Sequence, residues 1–374
     1  MKHFPPIARL VTALTIALLV AAPAQPAGAE QRKTARSTRP AVSAAVANAG
    51  TKSATKSAST AKKKSYSSTK RSRAARLAQA RAAARAKELR EVSTPRLKLD
   101  ALGDEVPDVR AEAAIIYNPE TNEVLWESNA REERSIASIT KVMTALVFLE
   151  SGMSLTTPVT VQRADVYRAS TTYLRAGYNV TAEDLLNLLL VGSDNAAARA
   201  LSRISPFGAS GFVDRMNQKA AELGLQKTHY ADPSGLLATN VSSAYDMARL
   251  IAFAAADDRV GSIMRRATHT VYSGTRTINV RSTNHLVREG QLDVVGGKTG
   301  FISRAGYCLA TLVRLPQSGQ QVAVVVLGAR SNQGRFWETR HLFNWLNTHT
   351  KKVLGIGAPQ APPQSEDGAA ELNQ

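Results

Sequence analysis

Ser138 and Lys141 stand three residues apart in Ser135-Ile136-Ala137-Ser138-Ile139-Thr140-Lys141-Val142-Met143-Thr144-Ala145, at the mouth of an apolar run. A serine hydroxyl is a poor nucleophile at neutral pH, and a lysine amine, normally protonated, is a poor base. Residues i and i+3 of a helix share a face, so the amine can lie beside the hydroxyl. Burial and a nearby second cation push a lysine toward its neutral form, which can take the serine proton. A helix N-terminus at Ser138 would add backbone N–H groups and a positive field for a developing anion. Alone the pair is weak, because Ser-x-x-Lys also arises by chance on solvated helix faces.

Two further motifs change that. Ser193-Asp194-Asn195 follows a helical pattern ending at Val191-Gly192, and Lys298-Thr299-Gly300 sits in the apolar strand pattern Val294–Phe301. The order S-x-x-K, S-D-N, K-T-G resembles the set carried by penicillin-binding proteins and class A β-lactamases. That resemblance implies that Ser138 is acylated by a substrate carbonyl, with Lys141 as general base and Ser193 as proton relay to the leaving amine. Asn195, having both donor and acceptor atoms, would bind the lysine and the substrate amide together. Lys298 and Thr299 would hold a substrate carboxylate, and Gly300 would let substrate lie against the strand edge. The N–H groups of Ser138 and Phe301 are the expected oxyanion donors. Asp194 is expected to be structural. No metal and no cofactor is implied.

The resemblance extends over about residues 110–350. Phe212-Val213-Asp214-Arg215-Met216-Asn217, Leu223-Gly224-Leu225, Asp232-Pro233-Ser234-Gly235-Leu236, Ala305-Gly306-Tyr307-Cys308-Leu309 and Gly334-Arg335 are similar to the low-molecular-mass penicillin-binding proteins, the D-alanyl-D-alanine peptidases. This implies an α+β fold, an antiparallel sheet flanked by a helical cluster, of the serine β-lactamase/DD-peptidase-like transpeptidase kind. It implies peptidoglycan stem peptides as substrate and β-lactams as covalent inhibitors. It also places Arg335 where the family uses an arginine for the terminal carboxylate. Ser282-Thr283-Asn284-His285-Leu286-Val287-Arg288 resembles the shorter, endopeptidase type, which cuts D-alanyl cross-links. Many carboxypeptidases of the family carry a further β-rich domain and a C-terminal amphipathic membrane helix, and this chain ends soon after its final helix. His285 reads equally as a site-rim or a packing residue. A serine β-lactamase is the enzymatic alternative, but no Glu-x-x-Leu-Asn run lies between Asn195 and Lys298 to activate a deacylating water. An inactive muropeptide sensor is disfavoured by the presence of every reactive residue.

These groups need elements to position them. Ala113–Tyr117, the turn Asn118-Pro119-Glu120-Thr121-Asn122 and Glu123–Trp126 read as a hairpin. Helical patterns follow near 138–150, 181–192, 194–204, 210–223 and 242–255, with Thr181-Ala182-Glu183-Asp184 as an N-terminal cap. Strand patterns return at 292–300, 305–315 and 320–329, the last two joined through Gln317-Ser318-Gly319, before a final helix over about 332–350. Strands at both ends and helices between predict a sheet closed by its two termini. Cys308, the one cysteine, lies in an alternating apolar run and reads as a buried structural thiol.

The chain of 374 residues has a net charge of +18, concentrated in residues 31–98, where 19 Lys+Arg face 2 Asp+Glu. Residues 99–374 carry 27 of each sign. Lys2 and Arg9, the apolar run Leu10–Ala22 and Ala27-Gly28-Ala29 read as an export signal over 1–29, so that the mature protein belongs in the periplasm or cell wall and is not integral to the membrane. Residues 30–98 are a basic low-complexity segment expected to be disordered, within which 76–92 can form a basic helix. The catalytic domain is expected over 105–354 and a loose tail over 355–374. The basic segment reads as an electrostatic contact to anionic cell-envelope polymers, or as a solvated spacer. A basic-tailed polymer-binding protein is the non-enzymatic alternative. The segment has almost no aromatic side chains for base stacking, and export argues against DNA, so no specific nucleic acid is expected.

Overall fold

A central strand buried on both faces must read as a continuous apolar run, and Val322–Leu327 and Ala113–Tyr117 do so. The computed structural model describes residues 73–353 except 85, 88, 89, 91 and 92. The export signal, the tail and most of the basic segment lie outside these residues. Along the chain, α1 covers residues 73–84 and is exposed throughout. β1 (Leu97–Leu99), β2 (Glu105–Pro107), β3 (Ala113–Asn118), β4 (Glu123–Ser128) and β5 (Arg134–Ser135) precede a 3-10 turn, Ala137–Thr140, that runs into α2 (Lys141–Glu150). β6 (Pro158–Thr160), α3 (Arg163–Val166), β7 (Asn179–Thr181), α4 (Ala182–Leu190), α5 (Asn195–Ile204), α6 (Gly208–Glu222) and β8 (Val241–Ser242) follow. Then come α7 (Ala244–Ala256), α8 (Asp258–Met264), β9 (Thr268–Ser273), β10 (Arg276–Arg281) and α9 (His285–Glu289). β11 (Asp293–Ile302), β12 (Gly306–Arg314), β13 (Gln321–Ala329) and α10 (Asn332–Val353) complete the fold.

The main sheet is five-stranded and antiparallel in the order β11-β12-β13-β3-β4, so strands from both ends of the chain close it, as expected. Alternation splits its residues between two cores. Ile116, Val324, Val326 and Leu309 pack with Phe336, Leu342, Phe343 and Leu346 of α10 on one face. Ile115, Tyr117, Val325 and Leu327 face the helical cluster on the other. Within that cluster, residues 141–149 of α2 are all buried. A helix apolar all round has to sit in the interior, and this carries Lys141 out of water.

Local signals fix the starts of α4 and α5. Thr181 Oγ1 accepts from Asp184 N at 3.1 Å while Asp184 Oδ2 accepts from Thr181 N at 3.0 Å, a reciprocal cap on α4. Asp194 caps α5 by accepting from Ala197 N at 2.9 Å.

Two features depart from the sequence reading. The expected disordered segment ends at 98, yet Leu97–Leu99 is a strand paired with β2. Arg96 and Asp108 form an ion pair at 2.7 Å, and α10 holds the hairpin through Trp345 Nε1 donating to Glu105 O at 3.1 Å. Ordered structure therefore begins upstream of 105, because pairing with β2 and bonds to α10 hold a segment that buries little of its own side-chain surface. The β9–β10 hairpin was also missed. Ser273 pairs with Arg276 across a two-residue turn in which Gly274 has φ +58°. Among the described residues, no helix is long and apolar enough to cross a membrane.

Candidate active site

Ser138 lies in the 3-10 turn ahead of α2, half-buried, just after Ala137, whose φ of +49° is left-handed. Such backbone strain is held only where the surroundings over-determine it. Here Asp232-Pro233-Ser234-Gly235 presses on the turn. A Cβ on Gly235, which has φ +77°, would overlap the Ala137 carbonyl and come to 3.0 Å from Ser138 N. Asp232 shapes this loop: its Oδ1 accepts from Ser234 N at 2.8 Å and its Oδ2 from Leu237 N at 3.0 Å.

Lys141 Nζ lies 2.9 Å from Ser138 Oγ and 2.6 Å from Asn195 Oδ1, and also hydrogen-bonds the Ser234 carbonyl. Burial lowers its pKa from the ordinary 10.5 to about 7. Asp232 and Asp194 pull it back up, and Arg199 adds a smaller downward push. The expected second cation is thus a minor influence beside desolvation.

The S-D-N turn leaves α4 through Gly192, where a Cβ would meet Val280 at 2.7 Å and Tyr173 at 2.9 Å. Ser193 has φ +58°, and its Oγ accepts from Lys298 Nζ at 2.8 Å. Lys298 is buried and also donates to Thr299 O at 2.9 Å. Burial, then Lys141, then Arg335 push its pKa well down. Asp194 points away, accepting from Tyr173 N at 2.6 Å and Thr172 Oγ1 at 3.0 Å, the structural part foreseen for it.

β11 is an edge strand, with β12 as its one sheet neighbour among the described residues. Phe301 is 49 % exposed and stacks on Tyr307 at 4.2 Å. Thr299 Oγ1 lies 2.6 Å from Thr283 Oγ1, and Thr283 N donates to Val191 O at 3.1 Å. This ties the K-T-G strand to the S-D-N turn.

All of Ser138, Lys141, Ser193, Asn195, Lys298 and Thr299 therefore meet, and three of the groups expected to face substrate also have partners within the fold. Asn195 Nδ2 donates to Ala169 O at 2.6 Å and Ser170 Oγ at 3.2 Å, so its amide group is engaged within the fold. The space beside Gly300 is filled by protein: a Cβ there would reach Ile136 O at 2.7 Å. Its missing side chain lets β11 close on the nucleophile turn. Arg335 is buried, donating to Gly300 O at 2.9 Å and Cys308 O at 3.2 Å, and so braces that strand from behind. Sequence reasoning assigned no role to Asp232, Ser234, Gly235 or Thr283. An Asp two and three residues before the N–H groups it accepts is an Asx-turn signature that was readable. His285 stacks on Phe336 at 4.5 Å, the packing option. Cys308 is buried, which raises its thiol pKa to about 11.

The family profile of D-alanyl-D-alanine carboxypeptidases matches residues 100–331. The chain belongs to this family. It is a serine-type peptidase. It is similar to the D-alanyl-D-alanine endopeptidase of Escherichia coli (strain K12), 32 % identical over 256 residues that cover 67 % of this chain and 81 % of the relative. It is also similar to D-alanyl-D-alanine carboxypeptidase DacA of the same organism, 32 % identical over 255 residues, covering 64 % of this chain and 61 % of the relative. Among solved structures, the Streptomyces K15 DD-transpeptidase matches with a TM-score of 0.60 and 28 % identity over 64 % of this chain and 97 % of that one.

Proposed function

We propose that Ser138 is the nucleophile of a D-alanyl-D-alanine peptidase that prefers cross-linked stem peptides. Ser138 Oγ attacks the D-alanyl carbonyl while its proton passes to neutral Lys141 Nζ. The negative charge gathers on the carbonyl oxygen, facing the N–H groups of Ser138 and Phe301. Collapse breaks the C–N bond, and the leaving amine takes a proton relayed through Ser193. Water, deprotonated by Lys141, then releases the acyl group. Lys298 and Thr299 hold the carboxylate of the leaving arm, with Arg335 keeping Gly300 and its strand in register.

One observation carries this reading. Lys141 Nζ lies 2.9 Å from Ser138 Oγ with an amine held near neutrality by burial. The endopeptidase preference is supported by three relatives named D-alanyl-D-alanine endopeptidase, of which 77–90 % of the length aligns. The absent deacylating glutamate implies a long-lived penicilloyl ester, so β-lactams act as inhibitors. Export by residues 1–29 and electrostatic contact of residues 31–98 with anionic wall polymers complete the proposal. Deleting 31–92, which keeps Arg96 and β1 in place, should release wall-bound enzyme at low salt.

Fluorescent penicillin tests the core of it. A covalent band that persists for many minutes and is missing from Ser138→Ala is the expected result. Rapid loss of the band would favour a β-lactamase, and no band would remove Ser138 from the chemistry.

A further inference from the structure

Next to the Ser193 turn, two segments form a rim beside the reactive groups that the chemistry does not use. The loop 166–179 is fastened to the S-D-N turn: Asn195 N donates to Thr171 O at 2.9 Å and Tyr173 N to Asp194 Oδ2 at 2.6 Å. The β9–β10 hairpin joins it where Asn179 N donates to Ser273 Oγ at 3.0 Å. β10 then runs directly into Thr283, beside Thr299. Loop and hairpin thus make one surface that starts at the reactive groups.

Its composition is one-sided. Residues 166–179 and 265–281 contain no Asp or Glu. Arg168, Arg175, Arg276 and Arg281 are exposed on them. So are Tyr167 (62 %), Tyr173 (38 %) and Tyr272 (68 %). Arg168 lies over the Tyr167 ring at 5.4 Å and Arg276 over Tyr178 at 5.7 Å. Asp184 comes to 3.8 Å of His269, but its carboxylate already accepts from Thr181 at the start of α4. Residues 99–374 as a whole are electrically balanced, so this concentration is local. Arginine forks match carboxylates, and tyrosine supplies contact area with little entropy to lose. A rim of one sign selects a partner of the other.

We infer that this rim binds the second, carboxylate-bearing stem peptide of a cross-linked substrate while the first occupies the cleft. The inference rests on the peptidase reading above and supplies its preference for cross-links. The rim holds substrate and takes no part in bond making.

The test uses the full chain and the triple variant Arg168→Ser, Tyr272→Ser, Arg276→Ser, whose side chains are exposed, with unchanged melting as the folding control. The variant should raise KM for a cross-linked muropeptide dimer about tenfold at low salt, and by less at high salt. Its kinetics on a single stem pentapeptide and its rate of penicillin acylation should stay within about twofold, since neither fills the rim. No change on the dimer, or an equal loss on both peptides, would overturn the inference. A second arm places the same substitutions in a Ser138→Ala background and measures binding to sacculi and to glycan strands stripped of peptide. The residues 31–98 are common to both chains, so the difference reads the rim. Weaker binding to sacculi alone is expected; an equal drop on stripped glycan would overturn a peptide-binding rim. If wild type cleaves neither peptide, the peptidase reading falls, and this binding arm still decides the rim.

Discussion

The pH dependence of acylation follows from Lys141 alone on its ascending side. Burial holds this amine near pKa 7 against an ordinary 10.5. Only the neutral amine can take the Ser138 proton. The second-order rate constant for penicillin acylation should therefore climb about tenfold per pH unit up to about pH 7 and then level off, leaving about one-hundredth of the plateau rate at pH 5. Burial depresses Lys298 too, so the loss of its cation as pH rises should weaken the carboxylate contact proposed for it and lower the rate. Stopped-flow acylation from pH 5 to 9, at fixed ionic strength, measures both sides. The same shift has a stability signature. Between the folded and unfolded pKa values the unfolded chain holds a proton that the folded chain lacks, so this lysine makes stability rise with pH. The slope is about 1.4 kcal/mol per unit, amounting to about 5 kcal/mol across the window from about pH 7 to 10.5. Below pH 7 both states are protonated and the contribution is flat. An acylation rate that is level from pH 5 to 9, or still climbing tenfold per unit at pH 9, would refute a neutral Lys141 as the base.

Further outcomes follow from the same geometry. Asp232→Asn removes the largest upward pull on Lys141, so the ascending limb should move to lower pH, read from the same titration. Gly235→Ala forces a Cβ into the Ala137 carbonyl at a φ of +77° and displaces the Ser138 turn. Acylation should fall at least about a hundredfold while circular dichroism stays near wild type, because displacements near 1 Å have that effect on reactive geometry. Cys308, buried with its thiol pushed up to about 11, should resist a thiol reagent in the folded protein and react stoichiometrically in denaturant.

Much of this site was legible because its chemistry needs particular side chains in short windows. Ser138 and Lys141 had to share a helix face, and the apolar run after Lys141 already implied a buried amine. The Thr181 cap was readable for the same reason: capping is a contact between near neighbours in sequence. The β9–β10 hairpin is absent from the sequence reading although Gly274-Thr275 lies between two alternating stretches, a sufficient signal for a tight turn. The order around β1 was not readable, because α10, more than 230 residues further on, holds Arg96 just before β1 and Glu105 of its partner strand β2.

The sequence by itself determined which reactive side chains are present, Ser138, Lys141, Ser193 and Lys298, together with the continuous apolar runs that make β3 and β13 central strands. Tertiary structure decided which atoms of those residues are left for substrate. Asn195 has one face on Lys141 and the other on Ala169, Gly300 is small to admit Ile136, and Arg335 grips Gly300 from behind. A residue type states what a side chain can bond. Only the packing of segments distant in the chain states which partner reaches it first, since a donor satisfied inside the fold is no longer free for a ligand.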